Sequence, residues 1–195
     1  LGERNTMDEE LNTYLAKVRM EYSERMYFFE QALGAEVHWF FAQGSEALKA
    51  GLYLPACTSF LIGIEASIRV TMAQIENPIQ VTELDPYKIL SNKLLLSAHT
   101  KGLPVKLLAF QGEDNFIEKI TSTAKPSPNA EIVRIRHNLC HGNIFEYVNT
   151  ELGESNAFFT PECCRALAIT LLNISKGWTS GLGDFRKKIK HSQLV

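Results

Sequence analysis

The feature that most constrains this chain is the stepping of its apolar residues. Leu11, Leu15, Val18, Tyr22, Met26, Phe29, Leu33, Val37 and Phe40 recur every three or four positions. A stripe of that period is buried along one face of a helix and cannot be buried along a strand. The spacing predicts one long first helix, with a kink or break at Gly34 or Gly44.

The same period returns downstream. Leu54, Cys57, Leu61, Ile64, Ile68, Met72 and Ile75 predict a second helix. Pro55 falls in its first turn, where a missing N–H costs little, and Asn77-Pro78 ends it. Asp85-Pro86 reads as the cap and first turn of a third helix that stops at Gly102. A short helix is expected between Asp114 and Ser122, and a fourth main helix from Asn129, its cap, to Gly142. Residues 144–159 read as a small hairpin or an ordered loop. Thr160-Pro161-Glu162 opens a last long helix carrying Cys164, Leu167, Leu171, Ile174 and Trp178. The expected fold is therefore all-α, an up-and-down bundle of four to five main helices. Its 195 residues suit a single domain, with the first few residues and a basic C-terminal tail, Arg186 to Lys190, expected to be flexible.

Composition narrows the class. The chain is 45% hydrophobic and 22% charged, with a net charge of -2. That is ordinary for a folded domain and announces no basic face for a long duplex. It leaves room for a small pocket that handles one phosphate. The four cysteines, Cys57, Cys140, Cys163 and Cys164, contain no CxxC, which fits reduced thiols and a cytoplasmic protein. The polar, charged start does not read as a secretory leader. The longest apolar run, Leu52 to Val70, is interrupted by Pro55, Glu65 and Arg69, so no membrane span is expected.

The densest polar stretch is Arg134-Ile135-Arg136-His137-Asn138-Leu139-Cys140-His141-Gly142-Asn143. Two arginines, two histidines and two asparagines within ten residues must be solvated, paired or used. Arg136 and His141, with four residues between and Gly142 after, resemble the R-x4-6-H motif of the HEPN superfamily. Many members read Arg-Asn there; here Asn138 follows one residue later, after His137. The long helix before the motif is similar in carrying an acidic residue, Glu65 in Ser59-Phe60-Leu61-Ile62-Gly63-Ile64-Glu65-Ala66. The resemblance in architecture runs over roughly residues 8 to 180.

The resemblance implies a metal-independent endoribonuclease that needs no cofactor. It implies an RNA substrate, a homodimer with facing motifs, and a toxin or defence role with an antitoxin or regulatory protein as a further partner. His141 would move the proton, since imidazole titrates near neutral pH. Arg136 would meet the phosphoryl oxygens bidentately. Asn138, His137 and Glu65 would support them. Cleavage by the RNA's own 2′-hydroxyl would leave a 2′,3′-cyclic phosphate. The alternative is a non-catalytic HEPN-like module that dimerises or binds a partner or nucleotide.

Plainer readings stand beside each of these. Five residues along a helix turn a side chain by about 140°, so Arg136 and His141 do not share a regular face, whereas His137 and His141 do. Arg136 could pair with Glu65, with Glu131 or with a carbonyl of its own helix. His141 could simply favour a helix C-terminus. Glu65 is either a boundary carboxylate or the group that orients Arg136. Zinc on His137 and His141 with Cys140, Cys163 or Cys164 lacks the usual paired spacing. Ser59, Ser67 and Asp85 make no readable triad, and no glycine-rich phosphate loop is present. The basic tail reads better as a solvated helix face than as an RNA contact. Tyr22, Tyr27, Phe28, Trp39, Phe40 and Phe41 read as core or dimer contacts before base-stacking ones.

Overall fold

The computed structural model describes residues 2–34, 36–77, 84–85 and 87–192. Among them lie seven α-helices and no strand. They are α1 (Gly2–Met26), α2 (His38–Lys49), α3 (Tyr53–Glu76), α4 (Asn92–Thr100), α5 (Phe116–Thr121), α6 (Glu131–Cys140) and α7 (Arg165–Ser192). The all-α bundle expected from the period is the fold observed.

The helices α2, α3 and α7 pack on one another and make the core. Two glycines bring α2 and α3 close. A Cβ on Gly44 of α2 would stand 2.8 Å from the Phe60 ring of α3, and one on Gly63 of α3 would stand 2.9 Å from the Phe41 ring of α2. Each phenyl ring lies where the other helix has no side chain, so the contact is reciprocal. Phe41 also stacks on Phe28, with centroids 5.3 Å apart. The third member, α7, is pinned by Trp178. Its ring is fully buried, and its indole N–H donates to Ser67 Oγ at 2.8 Å. Ser67 in turn donates to the Ile64 carbonyl, so both the Trp178 indole N–H and the Ser67 hydroxyl are satisfied.

Several boundaries differ from the pattern. The first stripe belongs to two helices. α1 ends at Met26, and α2 begins only at His38. Gly34 (φ 73°) and Glu36 (φ 57°) take the left-handed backbone this connection needs. Gly44 breaks nothing and serves the close contact with Phe60. The third helix starts at Asn92 rather than at Asp85. Its cap is Ser91, whose hydroxyl accepts from Leu94 N at 3.2 Å. Asp85 instead accepts from Tyr87 N at 2.9 Å in a local turn. Pro78 and Pro86 lie outside the described residues. α6 begins at Glu131 without a cap from Asn129. Its first amides are met from a distance: Asn92 accepts from Ala130 N at 3.0 Å and Glu113 from Glu131 N at 2.8 Å.

Residues 144–159 form an ordered loop. One antiparallel bridge joins Asn149 and Phe158, flanked by 3₁₀ turns at Phe145–Tyr147 and Glu154–Asn156. A further 3₁₀ turn, Pro161–Cys164, runs straight into α7. The chain is helical from Gly2, and the expected flexible basic tail is part of α7. Arg186 in it is only 8% exposed and donates to Thr71 Oγ1 at 3.1 Å, so it faces α3 and offers nothing to an RNA backbone. α3 is long and apolar enough to cross a membrane by length and composition, and 61% of that stretch is buried inside the bundle.

Candidate functional site

The arginine- and histidine-rich stretch is the second half of α6 and its exit. Ile132, Val133 and Ile135 bury one side of α6 in the core. That fixes the helix's rotation and decides where the polar residues point. Arg136 turns toward α3. Its Nη2 lies 3.6 Å from Glu65 Oε2, and the two side chains are only 17% and 16% exposed.

Glu65 is a hub. Besides Arg136, its other oxygen lies 3.6 Å from Arg69 Nη1, one turn along α3. The backbone N–H of Leu90 donates to Oε2 at 2.7 Å. Two guanidiniums and a backbone amide offset the cost of enclosing this side chain. Arg136 is thereby anchored where α6 crosses α3.

The exit of α6 has a Schellman geometry. Gly142 takes φ 70°, Asn143 N donates to the Asn138 carbonyl at 2.8 Å, and Gly142 N to the Leu139 carbonyl at 3.4 Å. His141 is the last residue before that reversal and is exposed. Arg136 and His141 therefore lie at opposite ends of the site's last turn. One is drawn into the bundle and the other presented to solvent.

His137 stands between them. Its ring and that of His141 are 6.1 Å apart at 84°. Burial disfavours its imidazolium, and the Arg136 and His141 charges add to this, so its pKa lies below the ordinary 6.5. Its Nε2 is buried and makes no hydrogen bond among the described residues. A neutral imidazole with an unmet nitrogen can accept a proton or a hydrogen bond.

Asn138 points elsewhere. Its amide donates to Glu146 and its Oδ1 accepts from Asn143 at 3.2 Å. Glu146 also pairs with Arg134, which Glu131 holds from the other side. Arg134 is thus a second arginine with two carboxylates, and its protonated form is strongly favoured by both. Glu131, considered from the sequence as a partner of Arg136, pairs instead with Arg134 three residues on, and Glu146 comes from the following loop. Tyr147, next in that loop, buries its hydroxyl without a partner among the described residues, and burial pushes its pKa up to about 12.

Cys140 is the residue before His141, and Cys57 and Cys164 lie near Tyr147. Cys57 is fully buried, and burial with the neighbouring Cys164 pushes it up to about 12. Cys164 is buried too, and its pKa is raised by burial. Cys140 is exposed. Among the described residues no group of three or more His, Cys, Asp or Glu gathers as a metal site would require.

No family model, no curated protein and no solved structure matches the chain.

Proposed function

We propose that this chain is a HEPN-type, metal-independent endoribonuclease acting at the end of α6. The observation that carries this reading is the placement of Arg136 and His141 on one helix terminus. Arg136 is held by the Glu65 carboxylate, and His141 is set free by the Gly142 reversal. In the proposed reaction, RNA cleaves itself through its 2′-hydroxyl. A base takes that hydroxyl's proton, and an acid protonates the leaving 5′-oxygen. His141 fills the first role and a second imidazole the other. Arg136 keeps guanidinium N–H groups beyond those facing Glu65, and these meet the charge that grows on the phosphoryl oxygens.

Within one chain these groups diverge, so the reading calls for a homodimer with facing motifs, in which histidines and arginines from both copies line one cleft. The products are a 2′,3′-cyclic phosphate and a 5′-hydroxyl. A role as a toxin or defence effector in the cytoplasm, held in check by a partner protein, belongs to the same reading.

One observation favours a second reading. Arg136 is mostly buried and engaged by Glu65, as a purely structural arginine would be. A non-catalytic HEPN-like module follows from that. An RNA cleavage assay in EDTA separates the two, comparing wild type with His141→Ala at matched thermal stability. Cleavage that is lost in His141→Ala supports the nuclease. No cleavage of structured or single-stranded RNA by wild type supports the module.

A further inference from the structure

Phe145 closely follows the exit of α6, and it is 82% exposed. Nothing in the proposed chemistry uses its ring. The 3₁₀ turn that carries it, Phe145–Tyr147, is fixed on both flanks. Before it, Asn143 is tied to Asn138 twice: its backbone N–H donates to the Asn138 carbonyl at 2.8 Å, and its side-chain amide to Oδ1 at 3.2 Å. Within it, the Glu146 carboxylate accepts from the Asn138 amide and from both terminal nitrogens of Arg134. Tyr147 packs against the core beneath, and the bridge between Asn149 and Phe158 closes the loop. The outcome of this network is an apolar ring presented to solvent in one place. His141 is four residues away, so the two backbones are at most about 14 Å apart. Gly142 lies between them, where a Cβ would meet nothing within 4 Å.

We infer that Phe145 stacks a base of the RNA strand that passes His141, so that this surface takes strands whose bases are unpaired. The role of the strand as substrate rests on the ribonuclease reading; the stacking does not require cleavage. The surroundings favour a base. Glu131 and Glu146 share the one Arg134 guanidinium, so the frame of the ring carries net negative charge and repels a phosphate. A neutral base meets no such repulsion, and its flat face covers a single ring. A protein partner anchored on a ring needs a rim around it that excludes water. Asn143 and Glu146, on either side of this ring, are polar and exposed. In a duplex the bases stack on one another, so only unpaired bases reach an aromatic side chain.

The test is binding of a short single-stranded 2′-O-methyl oligoribonucleotide of mixed sequence, read by fluorescence anisotropy. Methylation removes the nucleophilic hydroxyl, so binding is measured whether or not the protein cuts RNA. Wild type is expected to bind this probe, and to bind its duplex with the complementary strand about tenfold more weakly. Phe145→Ala is expected to weaken single-strand binding about tenfold, at the thermal stability of wild type, since the ring lies outside the core. Phe145→Trp is expected to keep the affinity. Phe145→Leu is expected to lose it, because leucine is apolar without a π-face. An abasic strand of the same length is expected to bind wild type and Phe145→Ala alike. A wild type that does not bind the probe overturns the inference, whether the ring serves a protein or nothing. So does equal binding by Phe145→Ala, full affinity in Phe145→Leu, or a duplex held as tightly as the single strand. Binding that depends on Phe145, with the unmethylated RNA left uncut, keeps the stacking and removes the ribonuclease reading. Cleavage with no dependence on Phe145 does the reverse.

Discussion

α1 and α7 are close in length, 25 and 28 residues, and both carry apolar residues at helical spacing, but α1 as a whole is scarcely amphipathic whereas α7 is strongly so. Their fates differ. Along α7, Ala168, Leu171, Trp178 and Leu182 are fully buried against α3, α2 and the 3₁₀ turn at Val105–Leu108. Along α1, Leu11, Leu15 and Val18 face solvent. The stripe states that a face must be covered and is silent about what covers it. In α7 the chain itself supplies the cover. Among the described side chains of α1 from Glu9 to Ser23 it does not.

The sharpest way to break the comparison is to truncate one large residue on each helix. Trp178→Ala removes a filled ring volume and leaves Ser67 without its donor. It is expected to cost about 3–5 kcal/mol in urea unfolding. Val18→Ala, in protein dilute enough to be monomeric, is expected to stay within about 0.5 kcal/mol of wild type. Equal effects would mean that α1 packs on the bundle after all.

The next largest effect concerns the crossing of α3 and α6. Glu65→Ala strips the carboxylate from between Arg69 and Arg136 and leaves the Leu90 amide unmet. A loss of about 2–3 kcal/mol is expected, measured by the same unfolding. Lys17→Ala on α1 is the matched control and is expected to change monomer stability by less than about 0.5 kcal/mol.

The smallest effect is a pH dependence carried by His137. Its folded-state pKa lies below the ordinary 6.5, so the unfolded chain binds more protons between those two values. Stability therefore falls as pH drops through about 6.5 and levels off once the folded-state value is passed. The difference in unfolding free energy between wild type and His137→Gln should track that fall and be flat above pH 7.5 or so. A difference that does not change with pH would mean the folded protein leaves this imidazole's titration undisturbed.

How much of this was legible depends on the element. α3 was readable almost to the residue, because Pro55 and Asn77 mark its ends and its stripe is buried continuously. The break after Met26 was not, since Phe29, Leu33 and Val37 kept the helical period through a turn. Phe28 and Leu33 are buried there by tertiary packing, which the period cannot distinguish from a helix face. Asp85 and Asn129 carried cap chemistry that Ser91 and the distant Asn92 and Glu113 perform instead.

At the site, two readings of Glu65 stood open, and its contact with Arg136 is what the fold provides. That contact was legible because a carboxylate beside an apolar stripe needs a partner. Asn138's commitment to Glu146 was not legible, because Glu146 reaches back from an irregular loop. The inward turn of Arg136 and the outward turn of His141 follow from helical geometry, and the sequence already placed them on different faces.

The most direct test of the central claim is the chemistry of the ends that wild-type protein leaves on RNA in EDTA. The account predicts cleavage with 2′,3′-cyclic phosphate and 5′-hydroxyl termini. RNA left intact, or cut to 3′-hydroxyl and 5′-phosphate ends, would contradict it.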